Sequence, residues 1–395
     1  MTLAWEHTTV GSVCQIANGG TPKTGVESYW GGSHPWITPA EMGDLLSPYV
    51  SETRRTLTDE GMANSSARLL RPNSVILSSR APIGHLVINT VPMATNQGCK
   101  GLAPSDRLNA KFLYYYLRSI VGLLNDLGTG TTFKELSGGR LAQVPIRIPS
   151  IAEQQRIVAI LDQAFEAIDT AKANAEKNVG NGKELFENYL TDLLLRHSKA
   201  WRDEPLSDIC VVERGSSPRP IKKYFTTERE GVDWIKIGDT EEGGKYVSST
   251  EQKITPEGAQ QSRYVRPGDL ILTNSMSYGR PYIMATHGYI HDGWFVLRPN
   301  DDIDTEYFYY LLSSRHVQAQ FGRLASGSVV KNISGDLVKQ AVMPIPPVSE
   351  QRQIVEKLRR METEEEHLGS IYAQRLSNLS ALKGAILDHA FSGQL

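Results

Sequence analysis

Two stretches of this chain place apolar residues at helical spacing for more than thirty residues each. In the first, steps of four and three run through Ile157, Leu161, Ala164, Ile168, Ala171, Ala175, Asn178, Gly182, Leu185 and Tyr189. In the second they run through Ile354, Leu358, Met361, Glu365, Leu368, Tyr372, Arg375, Leu379, Leu382 and Ile386. A period of about 3.5 residues sustained this long predicts a coiled-coil seam. The first stripe is small in its middle and the second is bulkier there. The two helices are therefore expected to pack on each other. Ile157, Leu161, Ile168, Ala171, Ala175 and Leu185 would face Ile354, Leu358, Leu368, Tyr372, Leu379 and Leu382.

Each helix opens on the same kind of segment. Residues 148–161 read IPSIAEQQRIVAIL and residues 345–358 read IPPVSEQRQIVEKL, an offset of 197 positions with seven identities. Ser150 and Glu153 have the spacing of a capping box. Ser349 is placed to cap the second helix behind Pro346 and Pro347. The polar pair Glu153-Gln154, repeated as Glu350-Gln351, stands out in an otherwise apolar entry and is expected to fix the junction or cap the helix.

Ahead of each helical stretch the pattern changes to short apolar runs separated by turn residues, such as residues 75–78 and 86–88, which predicts strands. One helix is expected around residues 110–119. Residues 200–344 repeat this outline. Cys14 matches Cys210, Gly19 and Pro22 match Gly215 and Pro218, and Trp36-Ile37 match Trp234-Ile235. Gly84 matches Gly279, and Tyr114-Tyr115 match Tyr309-Tyr310. A period this long indicates two copies of a domain-plus-helix unit rather than a solenoid. The fold class is α+β: two similar, mixed, mostly β domains (residues 1–149 and 200–346) and two long helices (150–199 and 347–395) in an antiparallel coiled coil. Two equivalent units pairing through equivalent helices imply a pseudo-two-fold repeat, with the end of the second helix beside the first domain.

Composition adds exclusions. No apolar run is long enough to span a membrane, and the start lacks the pattern of a signal peptide. The three cysteines form no metal or disulfide pattern, which suits buried thiols in a reducing cytoplasm. The net charge is −2, so nucleic-acid binding would have to use local patches or share phosphates with partners. Phosphate-loop, adenine-methyltransferase, zinc-hydrolase and nucleophile-elbow motifs are all missing, which excludes the commoner catalytic classes.

What remains is recognition chemistry. Arg and Lys can bond guanine, Asn and Gln adenine, and Ser or Thr either. The first domain offers Thr21, Lys23, Arg80, Asn96, Gln97 and Lys134. The second offers Arg219, Lys222, Lys223, Lys236, Ser275, Tyr278, Arg280, His291 and Lys331. Lys134 and Lys331 recur at equivalent glycine-flanked positions, which suits a shared phosphate contact. The tyrosines at 114–116 and 309–310 fit core helix faces better than base-stacking platforms.

Gly19-Gly20-Thr21-Pro22, Tyr29-Trp30-Gly31, Pro35-Trp36-Ile37 and Asn96-Gln97-Gly98, with Glu-Gln-x-x-Ile-Val at both helix starts and Ala390-Phe391-Ser392-Gly393, resemble the specificity subunit of Type I restriction–modification systems. Residues 234–239, 275–281 and 291–294 are similar to a recurrent second recognition domain of that family. The resemblance implies a non-catalytic, sequence-specific DNA-binding subunit that reads a bipartite site, one domain per half, with the helices measuring the spacer. It implies two methyltransferase subunits carrying S-adenosylmethionine as partners, and restriction subunits using ATP and Mg²⁺ where cleavage occurs, with no cofactor in this chain. Two other readings stay open: an enzyme with a diffuse active site, and a coiled-coil scaffold with protein-binding ends.

Overall fold

The computed structural model describes residues 5–80, 82–130, 134–195, 201–240, 243–274, 279–324 and 334–395. The chain divides into two units, Met1–Ala175 with Gln374–Leu395, and Glu176–Ala373. Both divisions fall inside a long helix. The first helix is Ile151–Leu195 and the second Val348–Ser392. Each unit therefore contains one β domain, the start of one helix and the end of the other.

In the first unit the main sheet has the order Cys14–Asn18, Cys99–Pro104, Val75–Ser79, Ile83–Asn89, Tyr49–Val50. All neighbours are antiparallel except the last pair. Val75–Ser79 is buried along its whole length, as its unbroken small-and-apolar run requires of a central strand covered on both faces. The second unit repeats the order with Cys210–Arg214, Trp294–Pro299, Leu270–Thr273, Pro281–Met284 and Tyr246–Val247. Again only the last pair is parallel. A short antiparallel pair closes each domain beside its long helix, Glu6–Thr9 with Pro145–Ile148 and Arg202–Pro205 with Val342–Ile345.

One helix lies between sheet and long helices in each unit. Ala110–Ser119 is capped by the Asn109 side chain and Thr305–Ser313 by that of Asp304, each carboxamide or carboxylate accepting from two backbone N–H groups. Of the tyrosines expected on core faces, Tyr114, Tyr115, Tyr116 and Tyr310 are buried and Tyr309 is half-buried; Tyr307 is buried as well. In the first unit Phe112, Leu113 and Leu117 join Ile157, Leu161, Phe165 and Ile168 from the first long helix and Leu387 and Ala390 from the second in one apolar cluster. In the second unit Tyr307, Phe308 and Leu311 join Leu190, Leu193 and Leu194 with Ile354, Val355 and Leu358. The start of each long helix thus packs on the end of the other, which is antiparallel pairing. In the first unit Phe391 lies 5.2 Å from Phe112 and 5.4 Å from Tyr116, ring to ring, and Arg156 donates to the Leu395 carbonyl at 2.8 Å. The end of the second helix lies beside the first domain.

The seam differs from the heptad reading. Leu185 is 61 % exposed, Leu368 45 % and Leu382 47 %. The covered stripe instead runs through the buried Ala175, the half-buried Val179, Gly182 and Phe186 and the buried Leu190 in one helix, and through the half-buried Glu365, Gly369, Tyr372, Leu376, Leu379 and Lys383 in the other. Each helix takes two successive steps of four in its middle, through 171, 175 and 179 and through 361, 365 and 369. An eleven-residue step of this kind unwinds a left-handed supercoil locally. Of the expected facing residues, Ile157, Leu161, Ile168, Ala175, Ile354 and Leu358 are buried, and Ala171, Tyr372 and Leu379 are half-buried. Asn178 is exposed, yet its amide donates to the Tyr372 hydroxyl at 3.0 Å.

The caps also differ. Glu153 N–H donates to Ser150 Oγ at 3.4 Å, but the Glu153 carboxylate turns to Arg156 with two bonds of 2.7 Å. A charge-assisted fork outcompetes the return bond of a capping box. Ser349 lies inside the second helix, where Glu350 and Gln351 donate to the Pro347 carbonyl instead. Cys14, Cys99 and Cys210 are buried, and burial pushes each thiol up to about 12, which keeps them protonated and inert.

Candidate nucleic-acid interface

The two domains build the same polar turn from different side chains. In the first unit the turn is Asn96-Gln97-Gly98. Asn96 N–H donates to the Ile37 carbonyl at 2.8 Å, Cys99 N–H to the Asn96 carbonyl at 2.9 Å, and Gly98 N–H to Asn96 Oδ1 at 2.8 Å. Asn96 Nδ2 then donates to Thr21 Oγ1 at 3.0 Å, which ties the Gly19–Thr21 loop to the turn. Gly19 is required here: a Cβ on it would stand 1.9 Å from the Asn96 carbonyl oxygen.

In the second unit the turn is His291-Asp292-Gly293. Gly293 N–H donates to His291 Nδ1 at 2.8 Å, Trp294 N–H to the His291 carbonyl at 3.2 Å, and a Cβ on Gly215 would stand 2.1 Å from that carbonyl oxygen. The accepting Nδ1 leaves the ring proton on Nε2 in the neutral form. Burial pulls the His291 pKa below its ordinary value, against the pull of Asp292. His291 is neutral near pH 7 and lies 6.2 Å from Trp234 and 6.3 Å from Trp294, centroid to centroid.

Around the second turn the chain gathers charge. Ser217 Oγ donates to Asp292 Oδ1 at 2.6 Å, Arg219 Nη2 approaches Asp292 Oδ2 at 3.4 Å, and Arg214 Nε and Asn274 Nδ2 donate to the Asp292 carbonyl at 3.2 and 2.7 Å. The Ser217 bond, opposed by burial, holds the Asp292 carboxyl below its ordinary pKa, and His291 and Arg219 add to the effect. The offsets of the repeat set Ser217 opposite Thr21, Arg219 opposite Lys23, His291 opposite Asn96 and Asp292 opposite Gln97. Lys23 and Gln97 are both exposed.

The remaining expected residues scatter. Arg80 pairs with Glu135 at 3.7 Å and packs under Gly98, so it joins the first turn. Lys134 is exposed beside that glutamate. Lys222 and Lys223 lie exposed on the single turn Ile221–Lys223. Lys236 is half-buried at the end of Val232–Ile235, where its charge faces His291. Arg280 lines a different pocket, about 730 Å³, with Glu187, Tyr309, Glu362 and Glu366. Ser275, Tyr278 and Lys331 lie outside the described residues. Ser217 was missed by side-chain type, and Asp292 entered only as part of the 291–294 stretch; the repeat offset reaches both. Also missed was Arg55, whose exposed guanidinium stacks 3.4 Å from the Trp30 ring centroid. Among the described residues no group of His, Cys, Asp or Glu could hold a metal, and no helix is long and apolar enough to cross a membrane.

Comparison with known proteins adds a family. The Methanocaldococcus jannaschii Type I restriction enzyme MjaIX specificity subunit is 31 % identical over 249 residues, 59 % of this chain and 57 % of the relative. The Escherichia coli EcoR124I/EcoR124II specificity subunit is 29 % identical over 201 residues, 49 % of each chain. The chain thus spans about half the length of these two relatives. The HsdS subunit from Thermoanaerobacter tengcongensis has the same fold, with a TM-score of 0.63 at 19 % identity over 99 % of this chain and 97 % of that one. So does a chain from a structure addressing complex assembly and conformational transition of the type I R-M system, with a TM-score of 0.80 at 18 % identity over 99 % and 98 %. The profile of the Type I restriction modification DNA specificity domain matches twice, at residues 3–178 and 198–370, once for each copy of the turn. The chain belongs to the Type I restriction modification DNA specificity family.

Proposed function

We propose that this chain is the DNA-reading subunit of a Type I restriction–modification complex, without catalysis of its own. Residues 1–149 and 200–346 act as the two recognition domains. The helices, residues 150–199 and 347–395, set the unspecified spacer between the half-sites. The observation that carries this reading is the duplicated turn. One backbone frame, held by equivalent hydrogen bonds, presents Thr21, Lys23, Asn96 and Gln97 in one copy and Ser217, Arg219, His291 and Asp292 in the other. Equal frames with unequal polar faces suit two half-sites of different sequence.

Two methyltransferase subunits dock on the chain, bringing S-adenosylmethionine, and restriction subunits with ATP and Mg²⁺ join where cleavage occurs. Support for protein partners comes from the second helix, where Leu368 and Ile371 expose adjacent apolar surface at 45 and 47 %. Partners that also hold phosphates account for a DNA-reading chain with a net charge of −2. The test is selection from random duplexes by the chain together with its methyltransferase. Enrichment of a two-part motif with a fixed gap is the expected result, and enrichment of none refutes the reading.

A further inference from the structure

We propose that Arg219 reads a guanine in the second half-site and that Asp292 is its positioning residue. This rests on the DNA-reading function above and assigns one letter of the site to one side chain. Three observations lead to it. The Arg219 side chain is 82 % exposed, the most open side chain in any ion pair around the turn, yet one of its terminal nitrogens is held by Asp292 Oδ2 at 3.4 Å. Asp292 cannot swing to follow it, because Ser217 Oγ holds Oδ1 at 2.6 Å and the Asp292 carbonyl takes bonds from Arg214 and Asn274. The turn beneath is fixed by the Gly293 to His291 bond and by the close approach of Gly215.

An arginine with one nitrogen drawn to an anchored carboxylate is biased toward one orientation and keeps its other donors free. That arrangement suits a bidentate bond to guanine O6 and N7, and it removes part of the rotamer freedom that a mobile arginine would lose on binding. The first domain lacks the device. Lys23 and Gln97 occupy the equivalent positions, and a lysine is a point charge without the planar fork. The guanine read in this way belongs to the second half-site alone.

The experiment is duplex selection with the full chain and its methyltransferase, comparing wild type with Arg219→Lys, Arg219→Ala and Asp292→Asn. In the two Arg219 variants, preference for guanine at one position of one half-site falls by about tenfold to a hundredfold. Asp292→Asn causes a smaller loss at the same position. The letters of the other half-site stay as they were, which also shows that each variant folds and assembles. An unchanged motif overturns the assignment. So does a uniform loss of affinity for all sequences with a shallower salt dependence, which marks a phosphate contact. A wild-type chain that selects no two-part motif overturns the DNA-reading function itself, and with it the assignment.

Discussion

The two junctions between β domain and long helix use one plan with opposite electrical signs. In the first unit Lys111, on the domain's helix, donates to Asp162 on the long helix at 2.7 Å. In the second unit the equivalent positions hold Glu306 and Arg359, which pair in the reverse sense. Tyr115 donates to Asp162 at 2.6 Å, whereas its counterpart Tyr310 donates to Glu362, one turn further along. Lys245 donates to both Glu306 and Tyr310 and lies 3.5 Å from Glu362, so four charges meet at the second junction. Beneath these differences one contact is identical. Gln154 is fully buried, accepts from Asn109 N–H at 2.8 Å and donates to the Arg107 and Pro149 carbonyls at 2.9 Å each. Gln351 does the same with Asp304 N–H at 2.7 Å and the carbonyls of Asp302 and Pro346 at 3.0 and 2.9 Å. What divergence has left untouched is a buried amide whose three partners are backbone. Side-chain ion pairs could invert because both members changed together. A bond to backbone leaves no partner that can change.

The largest test removes the common element. Gln154→Leu or Gln351→Leu removes the partner of one half-buried N–H and of two carbonyls. Each variant is expected to lose about 3 kcal/mol or more of the stability of its own unit, read as a lowered denaturant midpoint. Equal losses in the two halves support the shared plan, and a loss under about 1 kcal/mol in either breaks it.

Inverting one sign comes next. Glu306→Lys sets a cation against Lys245 and Arg359 on a side chain that is only 12 % exposed, and is expected to cost about 2–4 kcal/mol. Adding Arg359→Asp restores part of it, while Lys245 limits the recovery. Full recovery would show that Lys245 contributes nothing to the junction. The unfolding midpoints of single and double variants measure the difference.

Acidity and alkalinity should separate the halves. Burial raises the Glu306 carboxyl, but the bonds from Arg359 and Lys245 overcome it and leave its pKa below the ordinary value. Its contribution is therefore complete above the unfolded carboxyl value of about 4.3 and is lost as pH falls through the lower folded value. Burial lowers Lys111, but its bond to the Asp162 carboxylate overcomes this and leaves its pKa raised. Its contribution is complete below about 10.4 and is lost as pH rises through the higher folded value. Melting temperatures against pH should show a smaller acid loss for Glu306→Gln and a smaller alkaline loss for Lys111→Met than for wild type. Indistinguishable profiles would remove the electrical contrast.

The smallest effect concerns the seam. Leu185→Ser and Leu382→Ser are expected to change stability by under about 0.5 kcal/mol. Ile168→Ala, at a buried position, is expected to cost about 2–4 kcal/mol. A Leu185→Ser loss above about 1 kcal/mol would restore the strict heptad.

Much of this fold was legible because the chain states it twice. The helix Ala110–Ser119, the strands around 75–79 and 83–89 and both long helices follow from periodicity and turn residues. The phase of the seam did not follow. A straight helix drifts about 20° per heptad from a 3.5-residue template, so five heptads accumulate about one residue of error. That error exchanges Leu185 for Phe186 and Leu382 for Lys383. The polar turns were half legible. Asn96, Gln97 and His291 stand within two residues of Gly98 or Gly293 in the sequence, but Ser217 and Asp292 meet only because the sheet brings residues 75 positions apart together.

The buried glutamines have a mechanical consequence. Each clamps the first turn of a long helix to the cap of its domain's own helix, so domain and helix start turn together like a key and its shaft. An α-helix advances about 1.5 Å and rotates about 100° with every residue. A single inserted residue therefore re-aims whatever lies beyond it as well as moving it along. Seven-residue insertions, close to two whole turns, extend the shaft while leaving the key nearly where it pointed.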